Sequence, residues 1–433
     1  MSYVRQGTLF SFEDFVADYD DNERLVLTLA ALPDERLLRY LEPARKPPGQ
    51  PDPHGVLWRC LIAKFVYQIR CYSELIRELK RNGSLRRLVG IERLEDVPRA
   101  WDFSRFLGKL ATAEGLQLLA EMFEQLVAQL TAALPQLGRH LAVDATAVHA
   151  YSNEMRKHKS DHDATWSARP KRQRRRPAGR GRVEEYLDYW FGYQVHLIVD
   201  CQTELPVAFE VTAANENETT HFEPLLQRLQ RQHEPLAART EAVMADAGYD
   251  STANCRYVLS ELKALPIIKM RLTQPKQDRD QPFTGATSLC NELGTQLCDS
   301  GHQMVYAGRD GDYLKWRCPV ACGKAEQCTA FGRCTASAYG TVRKISIWED
   351  PRRFPGLARE SKKWRRLYRQ RTAAERVNAR LKDWLLLDDL TVRGMAKVTL
   401  HATVGLVVML AGAQAMVTAE RRERVRQVVR LAA

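Results

Sequence analysis

The apolar residues of the first 135 positions recur every three or four residues, the spacing that places side chains on one face of a helix. The segments with this spacing are 22–32, 33–41, 56–69, 72–81, 101–107 and 114–133. A proline-rich stretch, 45–53, separates the second segment from the third and is typical of a linker. The pattern therefore predicts an all-helical N-terminal domain over residues 1–135.

From residue 141 the pattern changes to short apolar runs bounded by polar and turn-forming residues, which predicts strands. These runs are 141–148, 191–200, 205–211, 241–246 and 265–270. Helical patterns occupy 219–232 and 252–262, and residues 360–387 contain neither Pro nor Gly, which favours one long closing helix. This order of elements is that of an RNase H-like fold, an α/β unit with a mixed sheet and helices on its faces.

The elements divide the rest of the chain into four predicted parts. They are a first part of the RNase H-like unit (136–270), an insertion (271–355), the closing helices of the unit (356–416) and a basic tail (417–433). The apolar run 398–416 is interrupted by His401 and two threonines and is short for a bilayer. We therefore expect a buried core helix there and no membrane association.

Composition narrows the class of partner. The 433 residues carry a net charge of +12, which favours a polyanion such as nucleic acid. Hydrophobic residues make up 45% of the chain, enough for a substantial core. The first residues do not resemble a signal peptide, so we expect a cytoplasmic protein whose ten cysteines stay reduced.

The closing helix carries the most specific motif of the chain. Tyr368, Arg371, Glu375 and Lys382 lie at i, i+3, i+7 and i+14, which keeps them on one face of a helix. Spacing alone favours a solvated charged helix with Arg–Glu pairs. All four positions and all three gaps, however, resemble the Tyr-Arg-Glu-Lys signature of a group of bacterial insertion-sequence transposases. In that group the Glu is the third acid of a DDE catalytic triad.

The resemblance implies that Asp144, Asp246 and Glu375 form the triad. Asp144 interrupts one apolar strand and Asp246 ends another, unusual places for a charge unless something binds there. Crowded carboxylates repel one another, and divalent cations remove that conflict. We expect Mg²⁺ or Mn²⁺ as cofactor, with two ions held by the triad. Asp200, at a predicted hairpin turn, and Asp250, a predicted helix cap, are weaker candidates.

The same resemblance implies that Tyr368, Arg371 and Lys382 contact DNA near the triad. The arginine-rich stretch 169–182, with Pro and Gly, is expected to be a disordered loop beside the site. Arg174, Arg175 and Arg176 in this loop are candidate contacts to the phosphate backbone. The N-terminal helices are either a helix-turn-helix DNA reader or a packing domain with a solvated basic face, and the pattern leaves both open.

The insertion raises the question of a second metal. Its candidate zinc ligands are Cys318, Cys322, Cys328 and Cys334. Their C-x3-C and C-x5-C spacings are looser than the pairs of zinc ribbons, so reduced structural thiols are the alternative.

The sequence thus predicts a transposase that binds the terminal inverted repeats of its element, cleaves at their ends and joins them to target DNA. The expected partner is double-stranded DNA, bound by a homodimer in the bacterial nucleoid. Two other functions are compatible with the same residues: an RNase H-like nuclease without strand joining, and a relative that binds DNA ends without cleaving them.

Overall fold

The computed structural model describes residues 20–42, 53–152, 160–174, 183–330, 333–359 and 361–426. In the described residues between 20 and 133 all regular elements are helical, as the apolar periodicity predicts. The helices are α1 (Asp20–Ala31), α2 (Glu35–Leu41), α3 (Pro53–Val66), α4 (Tyr72–Arg81), α5 (Gly83–Leu88), α6 (Ala100–Leu110) and α7 (Ala113–Ala133).

A mixed sheet follows the helices. Its strands are β1 (His140–His149), β2 (Thr165–Arg174), β3 (Val183–Asp200), β4 (Pro206–Ala213), β5 (Ala242–Ala245) and β6 (Leu265–Ile268). The order is β2-β3-β1-β5-β6, with β4 also paired to β3. β1 runs antiparallel to β3 and parallel to β5, and β5 runs parallel to β6. Sheet and helices together confirm the mixed α/β fold class.

Helices cover both faces of this sheet. The intervening helices are α8 (Glu218–Gln232), α9 (Glu234–Ala237) and α10 (Thr252–Ser260), and the closing helices are α11 (Lys362–Tyr368), α12 (Thr372–Asp383) and α13 (Met395–Thr418). α8 packs on β3 and β4, and α12 packs on β1 and β3. The N-terminal part of α8 and the first turns of α12 therefore both lie close to this sheet.

The predicted long closing helix is wrong in one respect. Residues 369–371 form a 3₁₀ turn between α11 and α12, and the helical conformation ends at Asp383. Gln370 within this turn contacts His140 of β1 (Oε1 to Nδ1, 2.9 Å), which fixes the turn against the sheet. The tighter winding places residues three apart directly above one another, so Tyr368 and Arg371 become neighbours.

The prediction of a disordered arginine-rich loop is also wrong for its first residues. Residues 169–174 belong to β2, which pairs antiparallel with residues 183–192 of β3. The rest of β3 pairs with β1 and β4. Residues 165–174 and 183–191 therefore form a two-stranded ribbon, which we call the basic ribbon. Arg175 and Arg176 lie outside the described residues, as does the side chain of Arg174.

The apolar run near the C-terminus forms a core helix, as predicted. α13 is long and apolar enough to cross a membrane, but 78% of its most apolar window is buried inside the protein. It packs on α1, α7 and β4, and His401 lies against Phe65 of α3 with ring centroids 5.0 Å apart. One continuous hydrophobic core consequently includes residues of the N-terminal helices, the sheet and α13.

The insertion contains a second, three-stranded antiparallel sheet. Its strands are β7 (Val305–Asp310), β8 (Tyr313–Arg317) and β9 (Val342–Ser346). A small separate core lies beneath it, centred on Trp316, Met304 and Phe354. Trp316 is 3% exposed and is a packing residue, whereas Tyr313 is 49% exposed.

The close contact at the base of the ribbon yields a test. A Cβ at Gly192 would lie 2.1 Å from the carbonyl oxygen of Val148 in β1. Gly192→Ala should therefore lower the free energy of unfolding by about 3 kcal/mol. Gly412→Ala is the matched control, because nothing lies within 4 Å of a Cβ there and α13 is helical. The control should stabilise the protein by about 0.5–1 kcal/mol. Urea unfolding measures both, and equal effects of the two substitutions would contradict the proposed backbone contact.

Candidate active site

Strand register places two of the predicted acids side by side. The parallel pairing of β1 with β5 ends at Val143 and Ala245, and each of these residues is followed directly by an aspartate. Asp144 and Asp246 therefore lie at the carboxyl ends of a pair of neighbouring parallel strand segments, the edge at which ligands bind in open α/β sheets.

The turn after β5 fixes Asp246. Its Oδ1 accepts a hydrogen bond from the backbone N–H of Gly248 at 2.7 Å. Thr219, in the first turn of α8, donates its hydroxyl to the carbonyl of Gly248 at 2.6 Å. The guanidinium of Arg271 donates to the carbonyls of Ala247 and Gly248 at 2.6 and 3.0 Å. The turn is thus bonded to the start of α8 and to the segment after β6.

The third predicted acid lies on α12. Glu375 is half-exposed and forms an ion pair with Arg371 (Oε1 to Nη2, 2.5 Å). Burial raises the pKa of the Tyr368 hydroxyl, Arg371 lowers it, and Asp246 and Glu375 raise it. Tyr368 also stacks on Trp364 with ring centroids 5.0 Å apart. Tyr368, Arg371, Glu375 and Asp246 therefore share one electrostatic neighbourhood.

Asp144 is the centre of that neighbourhood. Burial raises the pKa of its carboxyl to about 7; Arg371 opposes this shift, while Asp246, Glu218 and Glu375 add to it. Asn378 of α12 donates its side-chain N–H to Oδ2 of Asp144 at 2.9 Å. The helix that carries Glu375 is thereby bonded directly to the strand that carries Asp144.

The structure adds a fourth carboxylate, Glu218, that the sequence analysis missed. It lies in the first turn of α8, where an acid has an ordinary explanation in the helix dipole. Burial raises the pKa of its carboxyl to about 7, with Asp246 as a further cause, while Arg169 and Arg271 lower it. A Cβ at Gly248 would lie 2.7 Å from Oε2 of Glu218 and 2.8 Å from Oδ1 of Asp246. Only the fold, which brings α8 to the end of β5, reveals this proximity.

The competing aspartates have structural partners. Asp200 is fully buried and accepts hydrogen bonds from the backbone N–H groups of Gly138, Gln202 and Thr203, as a turn residue does. Asp250 forms an ion pair with Arg352 at 2.6 Å. Neither therefore has the environment of Asp144.

Lys382 lies apart from the acids that the structure brings together. Its ammonium pairs with Asp388 at 3.1 Å, beyond the C-terminal end of α12. This ion pair gives the Lys382 ammonium a partner within the protein. Its contact with DNA stays a prediction.

The candidate zinc site is not supported. Cys318, Cys322, Cys328 and Cys334 are free thiols, and the described part of the chain holds no group of three His, Cys, Asp or Glu side chains placed to bind a metal. Cys318 is buried against Gly340, whereas Cys334 is exposed and accepts a hydrogen bond from Thr341. The thiols thus have separate local environments.

The acids near Asp144 likewise form no such group of three in the described part of the chain, although they act on one another electrostatically. The ion pair with Arg371 holds Glu375 in place. The residues nevertheless fit a hard divalent cation. The donors are carboxylate oxygens, and the gap between Glu218 and Asp246 would be filled by any side chain at Gly248. The buried Tyr249 hydroxyl, which interacts electrostatically with Glu218, Asp144 and Asp246, makes no hydrogen bond to a described residue.

Sequence comparison assigns this arrangement to a family. Residues 135–410, which include the mixed sheet, all four acids, α11, α12 and most of α13, match the family described as the transposase DDE domain. The chain belongs to this family. Membership of the DDE transposase family supports a transposase function for this chain.

Two further comparisons complete the picture. No curated protein matches the sequence. The structure is similar to that of a piggyBac transposase, solved by cryo-EM as a synaptic complex with hairpin DNA, with 10% sequence identity and a TM-score of 0.39. That match covers 95% of this chain and 79% of the other.

The raised pKa of Asp144 yields a prediction for the DDE domain without metal. A carboxyl whose folded-state pKa is raised destabilises the fold as pH rises from about 4 to about 7, because the folded state resists ionisation. Asp144→Asn in EDTA should therefore raise the free energy of unfolding by about 1–3 kcal/mol at pH 8. The gain should shrink toward zero at pH 4.5. Asp383→Asn, an exposed acid of α12, should have little effect at either pH. Urea unfolding at both pH values makes the comparison, and a loss of stability for Asp144→Asn at pH 8 would contradict it.

Proposed function

We propose that this chain is a DDE transposase of an insertion sequence, of the group with the Tyr-Arg-Glu-Lys signature. It binds the terminal inverted repeats of its element, cleaves DNA strands at their ends and transfers the freed 3′-hydroxyls to target DNA. The observation that carries the proposal is the electrostatic neighbourhood of Asp144. Three further carboxylates and Arg371 from separate elements act on this one carboxyl.

Divalent cations are the proposed cofactors, since DDE transposases generally use ions such as Mg²⁺. Asp144, Asp246 and Glu375 would hold them. When bound, two such ions would help to activate the attacking oxygen and to stabilise the leaving oxygen of an in-line displacement. The protein holds Asp144 and Asp246 at adjacent strand ends, so the acids are positioned before any ligand arrives.

Arg371 and Tyr368 are the proposed contacts to the reacting phosphate. Arg371 is 18% exposed and now pairs with Glu375. A phosphate arriving beside the acids offers Arg371 an alternative anionic partner, which would release Glu375 toward Asp144. Tyr368 is held by its stack on Trp364, and its hydroxyl is available as a donor to a phosphate oxygen.

The basic ribbon is the proposed track for the DNA backbone. Residues 169–182 contain eight Arg or Lys and no acid. Arg169, midway along the ribbon, interacts electrostatically with Glu218 of the acidic site. On one face of the ribbon Trp166, Leu187 and Tyr189 are exposed, and aromatic rings at such positions stack on bases. We propose that a homodimer of this chain binds the two element ends within the bacterial nucleoid.

Strand cleavage tests the catalytic assignment. The substrate is a DNA fragment carrying the repeats that flank the gene, incubated with Mg²⁺ or Mn²⁺. Glu375→Gln should reduce cleavage at least about a hundredfold. It removes one of the three carboxylates proposed to hold the cations, which would stabilise the charge of the transition state. Asp383→Asn, which removes one acid from the same helix, should cleave as the unchanged protein does.

The products distinguish the functions. Cuts at the repeat ends followed by joining to target DNA establish transposition, whereas cuts without joining indicate an RNase H-like nuclease. If folded protein binds the repeats and cleaves with neither metal, the chain is a DNA-end-binding relative. If cleavage survives Glu375→Gln, the assignment of the third acid is wrong.

The ribbon makes a separate prediction about salt. Replacing Arg174, Arg175 and Arg176 with Gln should weaken DNA binding and reduce the slope of log affinity against log salt by up to about 3. The reduction should be similar for repeat and unrelated DNA, since phosphate contacts carry no sequence information. Lys315→Gln with Lys344→Gln is the control, because both lysines already pair with Asp310 in the insertion. Equal slopes for the triple variant and the unchanged protein would show that these three arginines do not contact the DNA backbone.

A further inference from the structure

We infer that Glu218 is a fourth carboxylate ligand of the divalent-cation site and shares a cation with Asp246. This inference rests on the proposed metal-dependent function of the same site and adds a residue that the three-acid signature does not contain. It is carried by the geometry around the turn after β5.

The first observation is the gap between the two carboxylates. Oε2 of Glu218 and Oδ1 of Asp246 both lie within 2.8 Å of the single point that a Cβ on Gly248 would occupy. The two oxygens therefore face the same small space, which a cation with ligand distances of about 2.1 Å could enter after a small side-chain movement. Glycine is the residue that leaves this space open.

The second observation is an unpartnered hydroxyl beside that gap. Tyr249 is 1% exposed, and its hydroxyl makes no hydrogen bond to any described residue. Glu218, Asp144 and Asp246 all act electrostatically on this phenol, so the three carboxylates lie near it. A buried hydroxyl among carboxylates is suited to donate a hydrogen bond to a ligand oxygen, such as that of a cation-bound water.

The third observation is that Glu218 is held in position by its own helix. Asn217 caps α8 through its side chain, and Thr219 is bonded to the carbonyl of Gly248. Asn254 of α10 donates to the carbonyl of Tyr249 at 2.9 Å. The backbone on both sides of Glu218 and of the turn is thus fixed, while Glu375 depends on a half-exposed ion pair. Glu218 and Asp246 form the prearranged part of the site.

Neighbouring charges give Glu218 no committed partner. No ion pair within 4.0 Å joins its carboxylate to a cation among the described residues, although Arg169 and Arg271 act on it from further away. Arg271 directs its guanidinium to the carbonyls of the turn instead. The carboxylate is therefore free to accept a cation without first losing an ion pair.

Mn²⁺ binding to the full-length protein without DNA tests the inference, measured by calorimetry and by the loss of the free-Mn²⁺ electron paramagnetic resonance signal. Glu218→Gln should raise the Kd for Mn²⁺ at least about tenfold. Glu223→Gln, about one turn further along α8, is the matched control and should bind as the unchanged protein does. Urea unfolding in EDTA establishes that Glu218→Gln is folded, and Glu218→Asp, which restores a carboxylate, should recover part of the affinity.

Asp144→Asn separates this inference from the proposed function. If Asp144→Asn abolishes Mn²⁺ binding and Glu218→Gln leaves it unchanged, Glu218 is not a ligand although the cation site stands. If the unchanged protein shows no Mn²⁺ binding that depends on Asp144, the cation site itself is wrong, and the inference is overturned with it. A tenfold loss in Glu218→Gln with none in Glu223→Gln supports the assignment.

Discussion

The site depends on a conflict between packing and charge at one edge of the sheet. The parallel pairing of β1 with β5 sets Asp144 beside Asp246, and α8 and α12 add Glu218 and Glu375. Burial raises the pKa of Asp144, and repulsion from the neighbouring carboxylates adds to the shift. A fold retains such a conflict where a ligand resolves it, so the instability and the proposed chemistry have the same origin.

The surrounding contacts hold the acids close together, although their mutual repulsion would otherwise move them apart. Asn378 bonds α12 to Asp144, and Thr219 and Arg271 bond the turn after Asp246 to two other elements. Arg371 offsets part of the negative charge, as its ion pair with Glu375 shows. Arg371 thus has a role without DNA as well as the proposed role with it.

The sequence predicted what local pattern determines. Asp144 and Asp246 stood out because a charge in or at the end of an apolar strand is unusual, and Glu375 because its spacing matched a family signature. Glu218 did not stand out, since an acid at a helix start is commonplace and its proximity to Asp246 depends on how α8 meets β5. The basic ribbon was missed because residues 169–174 have no apolar alternation of their own and are ordered by pairing with β3. The 3₁₀ turn at residues 369–371 was missed because it depends on the contact of Gln370 with His140 in the sheet.

The core that surrounds α13 has a consequence for how such chains diversify. The N-terminal helices α1 and α7 pack on the same helix that supports β4, and one hydrophobic core includes all of them. An N-terminal region exchanged from a relative would have to reproduce the surface that fits α13, or leave an apolar helix exposed to water. Exchange of the N-terminal region at the boundary near residue 135 should therefore destabilise the DDE domain as well, because both parts share this core.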